Sequence, residues 1–235
     1  MSPYYDHGGI TIYHGDCREI LPTLPKADLV LTDPPYGISY SPGGGGRGFA
    51  SKTYTGKDLV VGDDKPFDPG CVLGLGKTIL WGGNHYASRL PDSPTWLVWY
   101  KKPGIASCDF ADCEIAWTNL GGPARHFTHL WNGGIRESER GVHWHPTQKP
   151  LAVIKWCLGL AGEVSSVLDP FMGSGTTLVA AKAAGLTGIG IEIEERYCEI
   201  AAKRLSQEVF DWEIPQTTKG EPDEGDNLFS TLESA

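Results

Sequence analysis

Between Ser166 and Ala183 the chain passes from a short apolar run through a glycine-rich turn into a helix-like stretch. That passage constrains the fold more than any other feature. It places a strand, a sharp turn and a helix within 18 residues, the local signature of an α/β sheet. The pattern repeats along the body. Short apolar runs read as strands at 9–13, 28–32, 77–81, 96–100, 114–117, 166–168 and 187–193. Helices are predicted from near Thr147 through Leu158, from Thr176 to a stop at Gly185, and amphipathically over 195–210.

Two stretches lack periodicity. Residues 38–68 contain Gly43-Gly44-Gly45-Gly46, followed by Arg47 and Lys52. Residues 119–146 mix Arg125, His126, His129, Trp131, Arg136, Arg140, His143 and Trp144. Loops of this length inside a compact unit are usually functional or disordered. Basic and aromatic residues together suit contact with nucleic acid, although a solvated loop has the same composition. The net charge of -9 argues against such a partner only until its distribution is considered, because it is concentrated. Residues 207–235 carry eight acids against Lys219 alone, so the rest of the chain is close to neutral. That acidic, Pro- and Gly-bearing segment (211–235 in the domain division) is expected to be a disordered tail behind one domain at 1–210. No signal peptide or membrane span is visible, so a cytoplasmic protein is expected.

Two segments carry chemistry. Thr32-Asp33-Pro34-Pro35-Tyr36-Gly37 follows an apolar run. Two prolines stiffen the turn and remove two N–H donors, leaving carbonyls and the Asp33 carboxylate as acceptors. Such a corner suits an –NH2 group, and Tyr36 offers a flat face for a ring. The second segment is Asp169-Pro170-Phe171-Met172-Gly173-Ser174-Gly175-Thr176-Thr177. Its glycines admit a ligand to the backbone ahead of a helix N-terminus. It matches neither the P-loop nor the G-x-G-x-x-G dinucleotide pattern. Glu192 closes the next strand, where an acid can accept ribose hydroxyls. Cys108, Cys113, His126 and His129 approach a zinc spacing, but Gly121-Gly122-Pro123 interrupts the span and the last spacing is short, so no metal is expected.

These motifs resemble the S-adenosylmethionine-dependent DNA methyltransferases that modify exocyclic amino groups. His145-Pro146-Thr147-Gln148-Lys149-Pro150 adds to the likeness. So does the order: D-P-P-Y precedes the glycine motif, the circularly permuted β-class arrangement. The resemblance covers roughly residues 9–205. It implies a Rossmann-like sheet, mostly parallel with one antiparallel strand and helices on both faces. It further implies that Asp33 and Pro34 hold the target amino group, that Pro35 stiffens the turn, and that Tyr36 stacks on a flipped base. S-adenosylmethionine would be held by Asp16, Cys17, Asp33, His145, Lys149, Asp169, Phe171, Gly173, Ser174, Gly175, Thr176 and Glu192. In that scheme Glu192 takes the ribose, Asp169 the methionine end, Phe171 the adenine, and His145 with Lys149 the carboxylate.

The implied reaction is direct in-line displacement by an adenine amino nitrogen, with double-stranded DNA as partner. Arg47, Lys52, Arg125, Arg136 and Arg140 would meet the DNA. Asp33 favours adenine over cytosine, because the cytosine enzymes more often carry Ser there. RNA methylation and a catalytically inactive DNA-binding module are the remaining readings. The 119–146 interval is short for a target-recognition region. A short site, weak specificity or a second subunit in a homodimer would each fit.

Overall fold

The computed structural model describes residues 2–39, 60–105, 111–132, 134–141 and 144–207. Arg47, Lys52, His143, Cys108 and the acidic tail lie outside the described residues. The chain opens with strands β1 (Tyr5–His7) and β2 (Ile10–His14), the short helix α1 (Cys17–Ile20), then β3 (Leu29–Thr32). It continues through β4 (Lys77–Trp81), β5 (Trp96–Tyr100), β6 (Cys113–Thr118), β7 (Arg125–Thr128), β8 (Trp131–Asn132) and β9 (Ile135–Arg136). The last third holds α2 (Leu151–Leu160), β10 (Ser166–Asp169), α3 (Thr176–Ala183), β11 (Thr187–Glu192) and α4 (Glu195–Ser206).

Nine of these strands form one sheet in the order β1-β2-β11-β10-β3-β4-β6-β5-β7, and β8 with β9 makes a separate ribbon. All seven predicted strands are present. The resemblance implies one antiparallel strand, and the described residues show two, β6 and β1. The extra one arises from Gly8 and Gly9, which both adopt positive φ (61° and 77°) and turn His7 straight back onto Ile10. Two left-handed residues in a two-residue turn match the twist of a hairpin.

Alternation along the central strands explains their burial. Leu29 and Leu31 pack into one core, and Val30 between them packs into another. Ile79 and Trp81 go with the first core, Leu80 with the second; Val167 and Leu168 divide the same way. A strand apolar on both faces belongs in the middle of a sheet covered on both sides. Helices α2, α3 and α4 supply the first cover through Val153, Ile154, Leu178, Ala181, Ala201 and Leu205. The opposite cover is thinner. It comes from α1 and from single turns carrying Leu21, Leu24, Phe67 and Leu73.

Helix α2 starts at Leu151, not near Thr147. Pro150 disfavours helical geometry at the residue before it and takes the cap position itself. Residues 145–148 form a turn instead, closed by Gln148 N–H donating to the His145 carbonyl at 3.2 Å.

Gly188 and Gly190 let α3 lie directly on β11. A Cβ at Gly190 would stand 2.5 Å from Met172 Sδ and 2.6 Å from Leu178 Cδ1. Gly190→Ala is therefore expected to cost about 1–3 kcal/mol through overpacking. Urea unfolding of the variant beside the parent measures it, and equal midpoints would contradict this packing.

Candidate active site

Four neighbouring parallel strands, β11, β10, β3 and β4, end on the same edge of the sheet. Their C-terminal ends deliver Glu192, Asp169, Asp33 and Trp81. Open α/β sheets bind ligands at this edge. Both sequence motifs line one cleft there. Its walls include Asp33, Trp81, Lys149, Asp169, Gly173 and Thr176, with Thr32, His145, Phe171 and Ser174 beside them.

The glycine-motif side is built around two carboxylates. Thr32 Oγ1 donates to Asp169 Oδ1 at 2.6 Å, and Phe171 N–H donates to the same oxygen at 3.1 Å. Burial pushes the Asp169 carboxyl up to about 6 despite these bonds. Glu192 accepts from Gly173 N–H at 3.0 Å and from Glu194 N–H at 2.8 Å. Burial raises its carboxyl to about 7. Gly173 and Gly175 have φ of 50° and 79°, and Gly175 precedes α3 as its cap. A Cβ on Gly175 would come within 2.8 Å of Ala201 Cβ. Gly15 N–H bonds to the Glu192 carbonyl at 2.9 Å, which brings Asp16 and Cys17 to the same edge. Asp16 caps α1 and pairs with Arg18. Cys17 is buried in a cluster that also takes Phe171.

The D-P-P-Y side is built around one cation. Lys149 Nζ lies 2.5 Å from Asp33 Oδ2, 3.1 Å from Glu114 Oε2 and 3.3 Å from the Tyr36 hydroxyl. Tyr36 donates to the other Asp33 oxygen at 2.5 Å. The lysine is 5% exposed and Asp33 22%, so Asp33 still faces the cleft. Burial alone would raise the Glu114 carboxyl, but Lys149 and Lys101 overcome it and hold it at about 2. Burial opposes the charge on Lys149, and the two carboxylates more than offset that, keeping it cationic. Burial also pushes Asp33 up, against the pull of Lys149.

The segment after β4 completes this side. His85 stacks on Tyr36 with ring centroids 4.8 Å apart and planes 15° apart. Gly82, at φ 75°, abuts the same tyrosine: a Cβ there would fall 2.0 Å from its ring. Lys149 also lies 5.2 Å from the centre of the Trp81 ring.

The sequence-predicted residues divide clearly. Asp33, Pro34, Pro35, Tyr36, Asp169, Phe171, Gly173, Ser174, Gly175, Thr176 and Glu192 gather at the sheet edge or on the turns that follow it. Lys149 sits on Asp33 and Glu114. His145 lines the cleft and packs on Tyr197 at 4.3 Å; burial, with Arg196 and Lys149 nearby, lowers it to about 4, so its ring is neutral at pH 7. Arg125 lies exposed on β7, the outermost strand, with β4, β6 and β5 between it and β3. Arg136 is buried and stacks over Trp131 at 3.8 Å, while Arg140 is exposed and donates to the Arg136 carbonyl. His129 bonds Ser138 at 2.9 Å.

Three further residues went unread in the sequence. Glu114 is a carboxylate inside an apolar strand, a signal that was available. Glu139 accepts from Gln148 and from Leu151 N–H, which fixes the 145–150 turn. Arg204 on α4 donates to the Ser174 carbonyl at 2.6 Å and braces the glycine turn. Neither of these two has a local pattern to give it away.

A family model described as DNA methylase matches residues 75–203, just over half of the chain. The chain belongs to the S-adenosylmethionine-dependent DNA amino-methyltransferases. Among curated relatives of this methyltransferase is the type II methyltransferase M.ScaI of Streptomyces caespitosus. It is 27% identical over 266 residues, covering 88% of this chain and 84% of its own. Type II methyltransferase M2.DpnII of Streptococcus pneumoniae is 28% identical over 251 residues, covering 88% and 93%. Two solved structures share the fold. PvuII DNA methyltransferase, cytosine-N4-specific, has a TM-score of 0.59 at 16% identity and covers 89% of this chain and 90% of its own. The M1.HpyAVI–SAM complex has a TM-score of 0.51 at 24% identity and covers 83% and 99%. Among the described residues no helix is long and apolar enough to cross a membrane.

Removing Lys149 would leave two partly buried carboxylates facing each other. Lys149→Met is expected to cost about 3 kcal/mol at pH 8, the lower end for a broken buried pair, because both acids keep some exposure. Their raised values in the variant make the loss grow as pH rises and shrink as pH falls through the range where the two carboxyls protonate. Urea unfolding across that range measures it; a pH-independent loss would count against the ion pairs.

Proposed function

We propose that this enzyme methylates the exocyclic amino group of adenine in double-stranded DNA. One observation carries the reading: an aspartate, Asp33, stands in the amino-gripping motif and faces a cleft that it shares with the glycine turn. The acceptor side and the donor side therefore open into one space.

The residues present fit S-adenosylmethionine. Gly173 lines the cleft without a side chain, and the neutral His145 beside it does not repel a sulfonium. Glu192 would accept the ribose hydroxyls, Asp169 the methionine ammonium, and Phe171 would pack on the adenine, with Asp16 at its amino group. Ser174, Gly173, Thr176 and Cys17 would line the remainder. When bound, S-adenosylmethionine supplies an electrophilic methyl group.

The chain's own residues deal with the nucleophile. An adenine amino nitrogen shares its lone pair with the ring and attacks poorly. Asp33 and the Pro34 carbonyl would accept its two protons, drawing the nitrogen toward tetrahedral geometry and favouring the positive charge that develops on it. Pro35 keeps that corner rigid. Each Asp33 oxygen has a second acceptor position beyond the bond it already makes to Tyr36 or Lys149. Holding both reactants in line supplies much of the remaining acceleration. The base must leave the duplex to reach this corner, and Tyr36 would receive it. Arg125 and Arg140 are exposed cations suited to phosphate, and Arg47 and Lys52 are assigned to it from sequence alone.

Purified enzyme is expected to transfer labelled methyl to unmethylated duplex DNA, with N6-methyladenine as the nucleoside recovered by mass spectrometry. N4-methylcytosine would reassign the base, methyl in RNA alone would reassign the substrate, and no transfer at all would leave a binding module. Asp33→Ala should abolish transfer, and any loss of cofactor affinity should be far smaller than the loss of transfer.

Cofactor affinity should also depend on pH. Ribose hydroxyls bind the ionised Glu192 carboxylate, whose value of about 7 places its titration in the working range. Between pH 7 and 6 the dissociation constant should rise by up to about tenfold, more steeply below that as the Asp169 carboxyl also protonates, and above pH 7 it should level off. Glu192→Gln should flatten that slope; calorimetric titration from pH 5.5 to 8.5 reads both.

A further inference from the structure

Glu114 lies outside both motifs, on the antiparallel strand β6, opposite Trp99 in register. Its two oxygens are divided between two lysines. Oε2 meets Lys149 Nζ at 3.1 Å and Oε1 meets Lys101 Nζ at 2.7 Å. Lys149 in turn meets Asp33 at 2.5 Å. The four groups make a row of alternating charge, from Lys101 through Glu114 and Lys149 to Asp33.

The lysine at the centre of that row has opposing effects on Asp33. Its ammonium keeps the carboxylate ionised in a buried corner. The same ammonium competes with an incoming amino group for that carboxylate. With Asp33 as its only anion, Lys149 would neutralise it. Its three donors are instead spread over Asp33, Glu114 and the Tyr36 hydroxyl. A carboxylate in the middle of an apolar strand is costly, and a buried ion pair can often be replaced by apolar groups without loss of stability. Packing alone does not call for an acid at this position.

We propose that Glu114 is a positioning residue for methyl transfer: by sharing Lys149, it keeps Asp33 a stronger hydrogen-bond acceptor toward the incoming amino group. The proposal rests on the reading of Asp33 as the acceptor of that group. Glu114 itself touches neither the substrate nor the cofactor in this scheme. Its effect on Asp33 passes through Lys149 and through its own charge, which raises the Asp33 carboxyl.

Glu114→Gln keeps the shape and removes the charge. Steady-state transfer to unmethylated duplex DNA, from pH 5.5 to 9, should show kcat reduced by roughly tenfold. KM for DNA and for S-adenosylmethionine should stay within about twofold. The acid limb of the kcat profile should move to lower pH. Lys101→Gln removes the outer cation and should move that limb the other way. A residue that merely supports the fold would not give shifts of opposite sign.

NMR titration of the Asp33 carboxyl gives the same information without turnover: downward in Glu114→Gln, upward in Lys101→Gln. Unchanged kcat and an unmoved Asp33 titration in Glu114→Gln would overturn the proposal. So would a loss confined to KM. If the parent enzyme transfers no methyl to DNA while the NMR shifts appear as expected, the assigned reaction fails and the electrostatic role of Glu114 stands. If Glu114→Gln does not fold, Lys101→Gln alone decides by the direction of its shift.

Discussion

The hydrogen bond from Thr32 to Asp169 joins two strand ends that lie 137 residues apart in sequence. Much of the site depends on it. It fixes β3 against β10 at the point where both leave the sheet, so the D-P-P-Y turn and the glycine turn start side by side. Asp169 accepts at the same oxygen from Phe171 N–H and also bonds the Thr177 side chain, so the helix that follows the glycine turn is tied to the same carboxylate. Parallel pairing sets the register of these strands, and the buried hydroxyl–carboxylate contact locks their ends. Burial makes such a contact stronger than it would be in water and makes its loss more costly.

Charge in the cleft is arranged in two separate groups. On the glycine side the carboxylates of Asp169 and Glu192 are held mainly by neutral donors, and burial raises both. On the D-P-P-Y side, carboxylates and ammonium groups alternate, and Glu114 is driven low. Two regimes thus coexist in one cleft. The first side becomes more favourable to a cationic or hydroxyl-bearing guest as it ionises. On the second, Lys149 keeps Glu114 ionised and the carboxylates in turn keep Lys149 cationic.

Much of this was legible in the sequence because the informative residues sit on strands with strict periods. Leu29, Val30 and Leu31 announce a strand buried on both faces, and Asp33 follows at its end. Ser166 to Thr177 likewise contains its own strand, turn and helix. The strand β7 was not legible. Arg125, His126 and Thr128 are polar, and their strand forms because β5 offers an open edge for pairing. The start of α2 was misplaced because a proline that permits a helix after it disfavours one before it. The role of Lys149 was hidden for a different reason. Its neighbours in sequence suggested a loop reaching the cofactor, while Glu114, which shares it, lies on a strand 35 positions away. Pairwise charge contacts between distant segments have no local signature.

The imidazole of His85 already lies flat on Tyr36. A planar guest arriving on that face would exchange with another ring instead of expelling a film of water from bare aromatic surface. The tyrosine is thus kept dry and level before anything binds, and the glycine pressed against it leaves little freedom to tilt.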